Sequence, residues 1–218
     1  MITLRNIFIG ALFFLTQITF TLYLPTLPKL ADVFLVDQND IMFTLTVVLI
    51  GYAAGHLFWG TASDYFGRKK MIVVSLCLYA AFQIPVVRTH YYPLLLTCFG
   101  LIGFCAAAFT SVGNALLKDL FPTNVKKAIA IVGIVMAIGP SVGPFIGAHL
   151  LARFSWSAVY VFLFIYAVIN VLGIVFLLKT DNQPHLKPKR DHAWLALKAI
   201  LSNRDYLGEV LPLSLMFG

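Results

Sequence analysis

At 218 residues, 60% of them hydrophobic and 11% charged, with a mean hydropathy of +0.89, the chain carries more apolar surface than a soluble core of this size can hide, so lipid must solvate most of it. Its net charge of +7 does not signal nucleic-acid binding, because the basic residues sit in short segments beside apolar runs and not in a stripe with stacking aromatics. The odd set Cys77, Cys98 and Cys105 lies inside apolar runs, which argues against a disulfide framework and for small packing residues.

A helix of about 17 to 25 apolar residues covers the roughly 30 Å hydrocarbon layer. Six runs meet that length: Ile7–Leu24, Ile41–Ala62, Met71–Val87, Leu94–Leu117, Ala128–Leu151 and Ser157–Leu178. A seventh begins near Tyr206 and is incomplete at Gly218. The chain therefore divides into a six-span bundle (1–178), a polar linker (179–205) and the start of a seventh span (206–218). Arg5 before an apolar run has the look of a signal peptide, but no small-residue cleavage site follows, and Tyr23-Leu24-Pro25 reads as a helix end.

In the first span Gln17 and Thr21 are four residues apart and share a helical face. They either line a substrate cavity that has hydrogen-bonding capacity and no fixed charge, or pair with a neighbouring helix. In the second span Tyr52, His56, Gly60 and Asp64 recur every four residues and form one stripe. His56 titrates near physiological pH and could carry a proton if it faces an aqueous cavity; otherwise it is a neutral hydrogen-bonding residue between helices.

The stretch Gly60-Thr61-Ala62-Ser63-Asp64-Tyr65-Phe66-Gly67-Arg68-Lys69-Lys70 reads as a tight charged turn between the second and third spans. So short a connection makes the two spans antiparallel neighbours, with Gly67 supplying backbone freedom and the basic residues holding the turn on the positive side of the bilayer. A cytoplasmic N-terminus follows from the same bias. It places Arg5, Arg68, Lys69, Lys70, Lys118, Lys126, Lys127, Lys179, Lys187, Lys189, Arg190, Lys198 and Arg204 inside, and only Lys29, Arg88 and Arg153 outside. In the fourth span Ser111 and Asn114 suit helix-to-helix bonding.

The fifth span holds Gly139, Gly143 and Gly147 at four-residue spacing, a smooth face on which another backbone can approach closely. Pro140 and Pro144 each remove a helical hydrogen bond and should bend the helix. The stripe is either part of a moving element or plain tight packing. Beyond the sixth span, Pro184, Pro188 and clustered basic residues mark a linker, and Trp194, Leu197 and Leu201 share one face of a short amphipathic helix.

Several of these segments together carry a resemblance. Gly60-xxx-Asp64-xx-Gly67-Arg68-Lys69 resembles the loop motif between the second and third helices of the major facilitator superfamily. Gly139 to Ala148 resembles the fifth-helix "antiporter" motif of its drug exporters. Tyr23-Leu24-Pro25-Thr26-Leu27-Pro28 and Lys118-Asp119-Leu120-Phe121-Pro122 resemble its bicyclomycin-resistance branch. The resemblance implies an all-α membrane protein, the six-helix N-terminal bundle of that fold built as a 3+3 inverted repeat, with the start of a seventh helix. It also implies a transporter of two such halves that rock around a central substrate. Asp64 and Arg68 would then hold the halves together on the cytoplasmic side, and the fifth-helix motif would serve export and limit leak. Gly60, Asp64, Gly67, Arg68, Lys69, Gly139, Pro140, Gly143, Pro144 and Gly147 form the expected gating set, and Gln17, Thr21 and His56 the candidate cavity or proton site.

Two departures from the branch bear on energetics. Thr21 stands where relatives usually carry an aspartate, and Phe99-Gly100-Leu101-Ile102-Gly103 replaces a fourth-helix pattern containing arginine. A charge inside the bilayer costs about 2.5 to 3.5 kcal/mol on insertion scales, so losing both leaves neither stranded. No phosphate-binding loop, metal-ligand spacing or nucleophile elbow is present, so a secondary transporter without cofactor or metal is expected rather than an enzyme. The expected function is efflux of small, moderately apolar compounds across the inner membrane, driven by an ion gradient. The alternative is a truncated or half transporter, inactive alone or working as a dimer. Expected partners are the small-molecule substrate, the bilayer, and a C-terminal half or second copy.

Overall fold

A computed structural model describes residues 4–121 and 125–177, and their regular structure is helical throughout. The linker at 179–205, its amphipathic helix and the seventh run at 206–218 lie outside the described residues.

Helix α1 (Leu4–Thr21) gives way to a 3-10 turn over Leu24–Thr26, and α2 (Leu27–Phe34) resumes the path. Pro25 and Pro28 lack an N–H, so the chain changes helix type where each falls in a first turn. The turn is closed by the Thr26 N–H on the Tyr23 carbonyl at 2.8 Å. One apolar passage therefore runs from Ile9 to Phe34, longer than the Ile7–Leu24 expected. A helix does end here, with α1 closing at Thr21 just before Tyr23-Leu24-Pro25, but the apolar passage continues through α2.

The other spans are α3 (Gln38–Phe66), α4 (Arg68–Arg88), α5 (Tyr92–Leu120), α6 (Val125–Arg153) and α7 (Ser157–Leu177). At 29 residues each, α3, α5 and α6 are about 44 Å long, close to the bilayer with its headgroup layers. They overrun the apolar runs because a helix satisfies its own backbone on either side of the hydrocarbon boundary. The charged stretch Gly60–Lys70 is accordingly helix up to Phe66 and again from Arg68, and the turn contracts to Gly67 alone. Gly67 has φ 92°, a conformation that strains any residue with a Cβ. Its N–H closes α3 on the Ser63 carbonyl at 3.0 Å, and its carbonyl takes the Met71 N–H at 3.1 Å to start α4.

Packing follows the inverted repeat. The main contacts join α3 to α5, α4 to α5, α4 to α7, α1 to α6, α1 to α5 and α1 to α7. Exchanging the first three spans for the last three turns α1–α6 into α5–α3 and α4–α5 into α7–α1, while α4–α7 and α1–α5 map onto themselves. Although Gly67 joins them, α3 and α4 touch lightly, and each packs chiefly on α5. That helix is the central one, 67% buried over its apolar window, against 22% for α3 and 17% for α6.

Buried polar side chains fasten the elements. The Thr19 and Tyr79 hydroxyls bond at 2.7 Å between α1 and α4, the Trp59 indole donates to the Phe104 carbonyl at 2.9 Å, and Tyr166 donates to the Ala11 carbonyl at 3.1 Å. In a medium without water each such bond replaces an otherwise unpaid desolvation. All three cysteines are free; Cys98 and Cys105 are buried in α5 as packing residues, whereas Cys77 is exposed.

Candidate functional site

The start of α4 concentrates charge. Arg68 forms an ion pair with Asp119 of α5 and donates through Nη1 to the Ala115 carbonyl at 2.6 Å, while its Nη2 lies 4.0 Å from Asp64. Asp64 is more than half exposed and Asp119 less than a third, so Asp119 is the closer and better shielded partner. Lys69 donates to the Val175 carbonyl at 3.2 Å in the last turn of α7, a cation on the negative end of a helix. Within the described residues Arg68 and Lys69 thus tie α4 to α5 and α7 of the same bundle. Asp119 carries the tightest of these contacts, and sequence reasoning notes it only as part of the Lys118–Pro122 segment. Residues 51 apart share no local pattern that would pair them.

Gly139, Gly143 and Gly147 are buried on α6 and face α1. A Cβ on Gly139 would overlap the Gln17 side chain, one on Gly143 the Thr21 hydroxyl, and one on Gly147 the Leu22 carbonyl. The candidate cavity pair and the glycine stripe are therefore two sides of one contact. Gln17 donates through Nε2 to the Met136 carbonyl at 3.1 Å, and Thr21 back-bonds to the Gln17 carbonyl at 3.0 Å. Met136 lies four residues before Pro140, whose missing N–H frees that carbonyl to accept from outside the helix. Pro140 itself is exposed and Pro144 half-buried, and α6 continues through both.

His56 belongs to a second group. Its ring stands edge-on to Tyr52 with centroids 4.5 Å apart, and Tyr52 is edge-on to Phe20 of α1 at 4.8 Å. The Thr110 hydroxyl of α5 sits 2.9 Å from the Tyr52 hydroxyl and 3.4 Å from His56 Nε2. The same hydroxyl lies 3.1 Å from the Ala107 carbonyl of its own helix, so its single proton has three possible partners. Among the described residues no hydrogen bond or ring contact joins His56 to Gln17 or Thr21. Gly60, one turn further along the stripe, has nothing within 4 Å of where a Cβ would stand. Ser111 bonds back to its own helix at the Ala107 carbonyl, and Asn114 is exposed; among the described residues neither bonds a neighbouring helix.

A further close contact escaped sequence reasoning. On α3, a Cβ at Gly51 would overlap the Gly100 carbonyl and one at Gly55 the Phe104 carbonyl; on α5, one at Gly103 would overlap the Val48 carbonyl. Here backbone meets backbone. The segment Phe99–Gly103, where the branch pattern carries a charge, is thus a smooth surface for α3. The signal available was Gly51 and Gly55 at the same four-residue spacing as the α6 stripe.

Six apolar helices packed as an inverted repeat define a multi-pass membrane protein of transporter fold. The chain belongs to the Major Facilitator Superfamily, whose family profile matches residues 9–218. It is 26% identical over 216 residues to a bicyclomycin resistance protein homolog of Haemophilus influenzae, covering 96% of this chain and 54% of that protein. Over 143 residues it is 25% identical to the multidrug transporter TPO1_2 of Candida glabrata, covering 65% of this chain and 25% of that one. The chain spans about half the length of the first of these relatives. The crystal structure of the human organic anion transporter MFSD10 shares the fold, with TM-score 0.55 at 20% identity over 78% of this chain and 46% of that chain.

Proposed function

We propose that this chain is the N-terminal half of an efflux permease that moves small, moderately apolar compounds outward across the inner membrane, with its N-terminus in the cytoplasm. The observation that carries the reading is the aromatic and hydrogen-bonding group on α1, α3 and α5, in which Phe20, Tyr52 and His56 are half-buried and Thr110 is buried beneath them. It offers stacking and polar contacts without a fixed charge, which suits a moderately apolar solute. Between their charged ends the six spans contain no Asp, Glu, Lys or Arg. His56 is therefore the candidate proton carrier on the stripe that leads to Asp64 and Arg68. One relative named for bicyclomycin resistance and another named a multidrug transporter support export, and the basic residues at the Gly67 end of the bundle support the orientation.

Asp64, Arg68 and Lys69 are proposed to serve the conformational cycle at the cytoplasmic end, with Gly60 and Gly67 allowing α3 and α4 to adjust. The glycines of α6, with Pro140 and Pro144, are proposed to let that helix slide on α1. A second six-helix wall, from a C-terminal half or a second copy, would close the substrate cavity against the poorly buried faces of α3 and α6. The cycle needs no enzyme chemistry, because an ion gradient supplies the work.

Inside-out vesicles test the reading with bicyclomycin and ethidium as probes. Vesicles carrying this chain, together with whatever second half it assembles with, should accumulate a probe when an inward-acid pH gradient is imposed. Absence of accumulation of both would overturn export. His56→Gln should abolish the gradient-driven component, and unchanged uptake would remove His56 from the mechanism.

A further inference from the structure

Helices α1 and α6 run parallel, since Gln17, Thr21 and Leu22 meet Gly139, Gly143 and Gly147 in rising order. The Gln17 amide donates from α1 to the Met136 carbonyl at 3.1 Å. In an unbroken helix that carbonyl takes the N–H of residue 140, and Pro140 has none. Gln17 therefore supplies, from a neighbouring helix, the donor that α6 lacks. A carbonyl left unmatched where no water reaches it lowers the folded-to-unfolded ratio by about 5- to 30-fold, so this bond fixes the register of α6 on α1.

The same gap recurs one turn on. Pro144 removes the helical partner of the Pro140 carbonyl, and among the described residues no side chain donates to it. Four residues apart, the two carbonyls lie on nearly the same face and about 5.4 Å from each other along the axis. In the other direction the ladder is closed, because Met136 has an N–H for the Val132 carbonyl. Packing selects the same direction. An advance by one turn brings Gly143 opposite Gln17 and Gly147 opposite Thr21, whereas the reverse shift sets Gln17 against Val135, a branched residue that stands 3.8 Å from where a Cβ of Gly10 would be.

We propose that Gln17 is a positioning residue that acts as a latch with two seats. It holds α6 at the Met136 carbonyl in the register of this structure, and it takes the Pro140 carbonyl when α6 advances one turn along α1 toward its own N-terminus. The latch rests on the sliding of α6 proposed above and gives it two discrete stops. Each seat leaves the other carbonyl open, so the two registers differ little in hydrogen bonding. Between them both carbonyls and the amide are unmatched, which makes the intermediate position the costly one.

Unfolding of the full chain in detergent tests the first seat. Gln17→Met keeps the length of the side chain and loses the donor, and should lower the folded-to-unfolded ratio about 5- to 30-fold. In a Pro140→Ala background, where α6 supplies its own N–H, the same change should be close to neutral; equal losses in both backgrounds would overturn the latch. Should Gln17→Met fail to fold, folding of the double variant supports the latch, and a Pro140→Ala chain that folds while the double does not contradicts it. Spin labels at Lys29→Cys and Lys127→Cys, both exposed and toward opposite ends of the α1–α6 pair, test the second seat on a Cys77→Ala background in the chain assembled with its second half. Their separation should fall into two populations about 5 Å apart, and Pro144→Ala should remove the longer and leave the shorter. A single population, or a longer one that survives Pro144→Ala, would overturn the second seat. Neither readout requires transport, so failure of the latch and failure of the export reading are seen separately.

Discussion

The α1–α6 and α3–α5 contacts are related by the inverted repeat, yet they are built differently. On α6 the glycines are smooth and α1 answers with side chains, Gln17 and Thr21, before its backbone arrives at Leu22. Between α3 and α5 both surfaces are smooth, and carbonyls of Gly100, Phe104 and Val48 sit where Cβ atoms would be. A contact of side chain on glycine can give by a rotamer change, whereas one of backbone on backbone cannot give without separating the helices. The first is suited to sliding and the second to holding, although one symmetry relates them.

Substitutions can break that contrast. The largest effect belongs to Gly51→Leu or Gly103→Leu, which should abolish the folded bundle, seen as loss of the monodisperse peak in detergent gel filtration. Gly143→Ala should cost about 1 to 3 kcal/mol of unfolding free energy by overpacking. Adding Thr21→Ala should recover most of it, since the Thr21 hydroxyl is the atom in the way; no recovery would mean the α1 backbone is already the barrier. The smallest effect is that of Asp119→Asn. Partly exposed charges are screened, so the loss should stay below about 1 kcal/mol in a melting experiment, less at high salt.

The spans are legible from sequence because a bilayer demands a fixed length of apolar helix, and the repeat follows from the family resemblance. Less legible is where helices stop. Charged residues from Asp64 onward mark the edge of the hydrocarbon, but a helix ends where its backbone must turn, and only Gly67 does so. The Gly139, Gly143 and Gly147 stripe is visible as three repeats of one spacing, and its partner face at Gln17 and Thr21 is not, because nothing local links positions more than a hundred residues apart. Gly51 and Gly55 offer a single repeat, with Tyr52, Ala53 and Ala54 between them, and pass unnoticed. The partner of Arg68 is equally hidden, since Asp119 is brought to it by the fold.

The holding role of α3–α5 is tested most directly by the thermal unfolding of Gly55→Ala beside Gly60→Ala, five residues apart on one helix. A Cβ at Gly55 meets the Phe104 carbonyl, and one at Gly60 meets nothing within 4 Å. Gly55→Ala should lose about 1 to 3 kcal/mol, while Gly60→Ala should hold its stability or gain about 0.5 to 1 kcal/mol from helix propensity. Equal losses at the two positions, or a larger loss at Gly60, would contradict it.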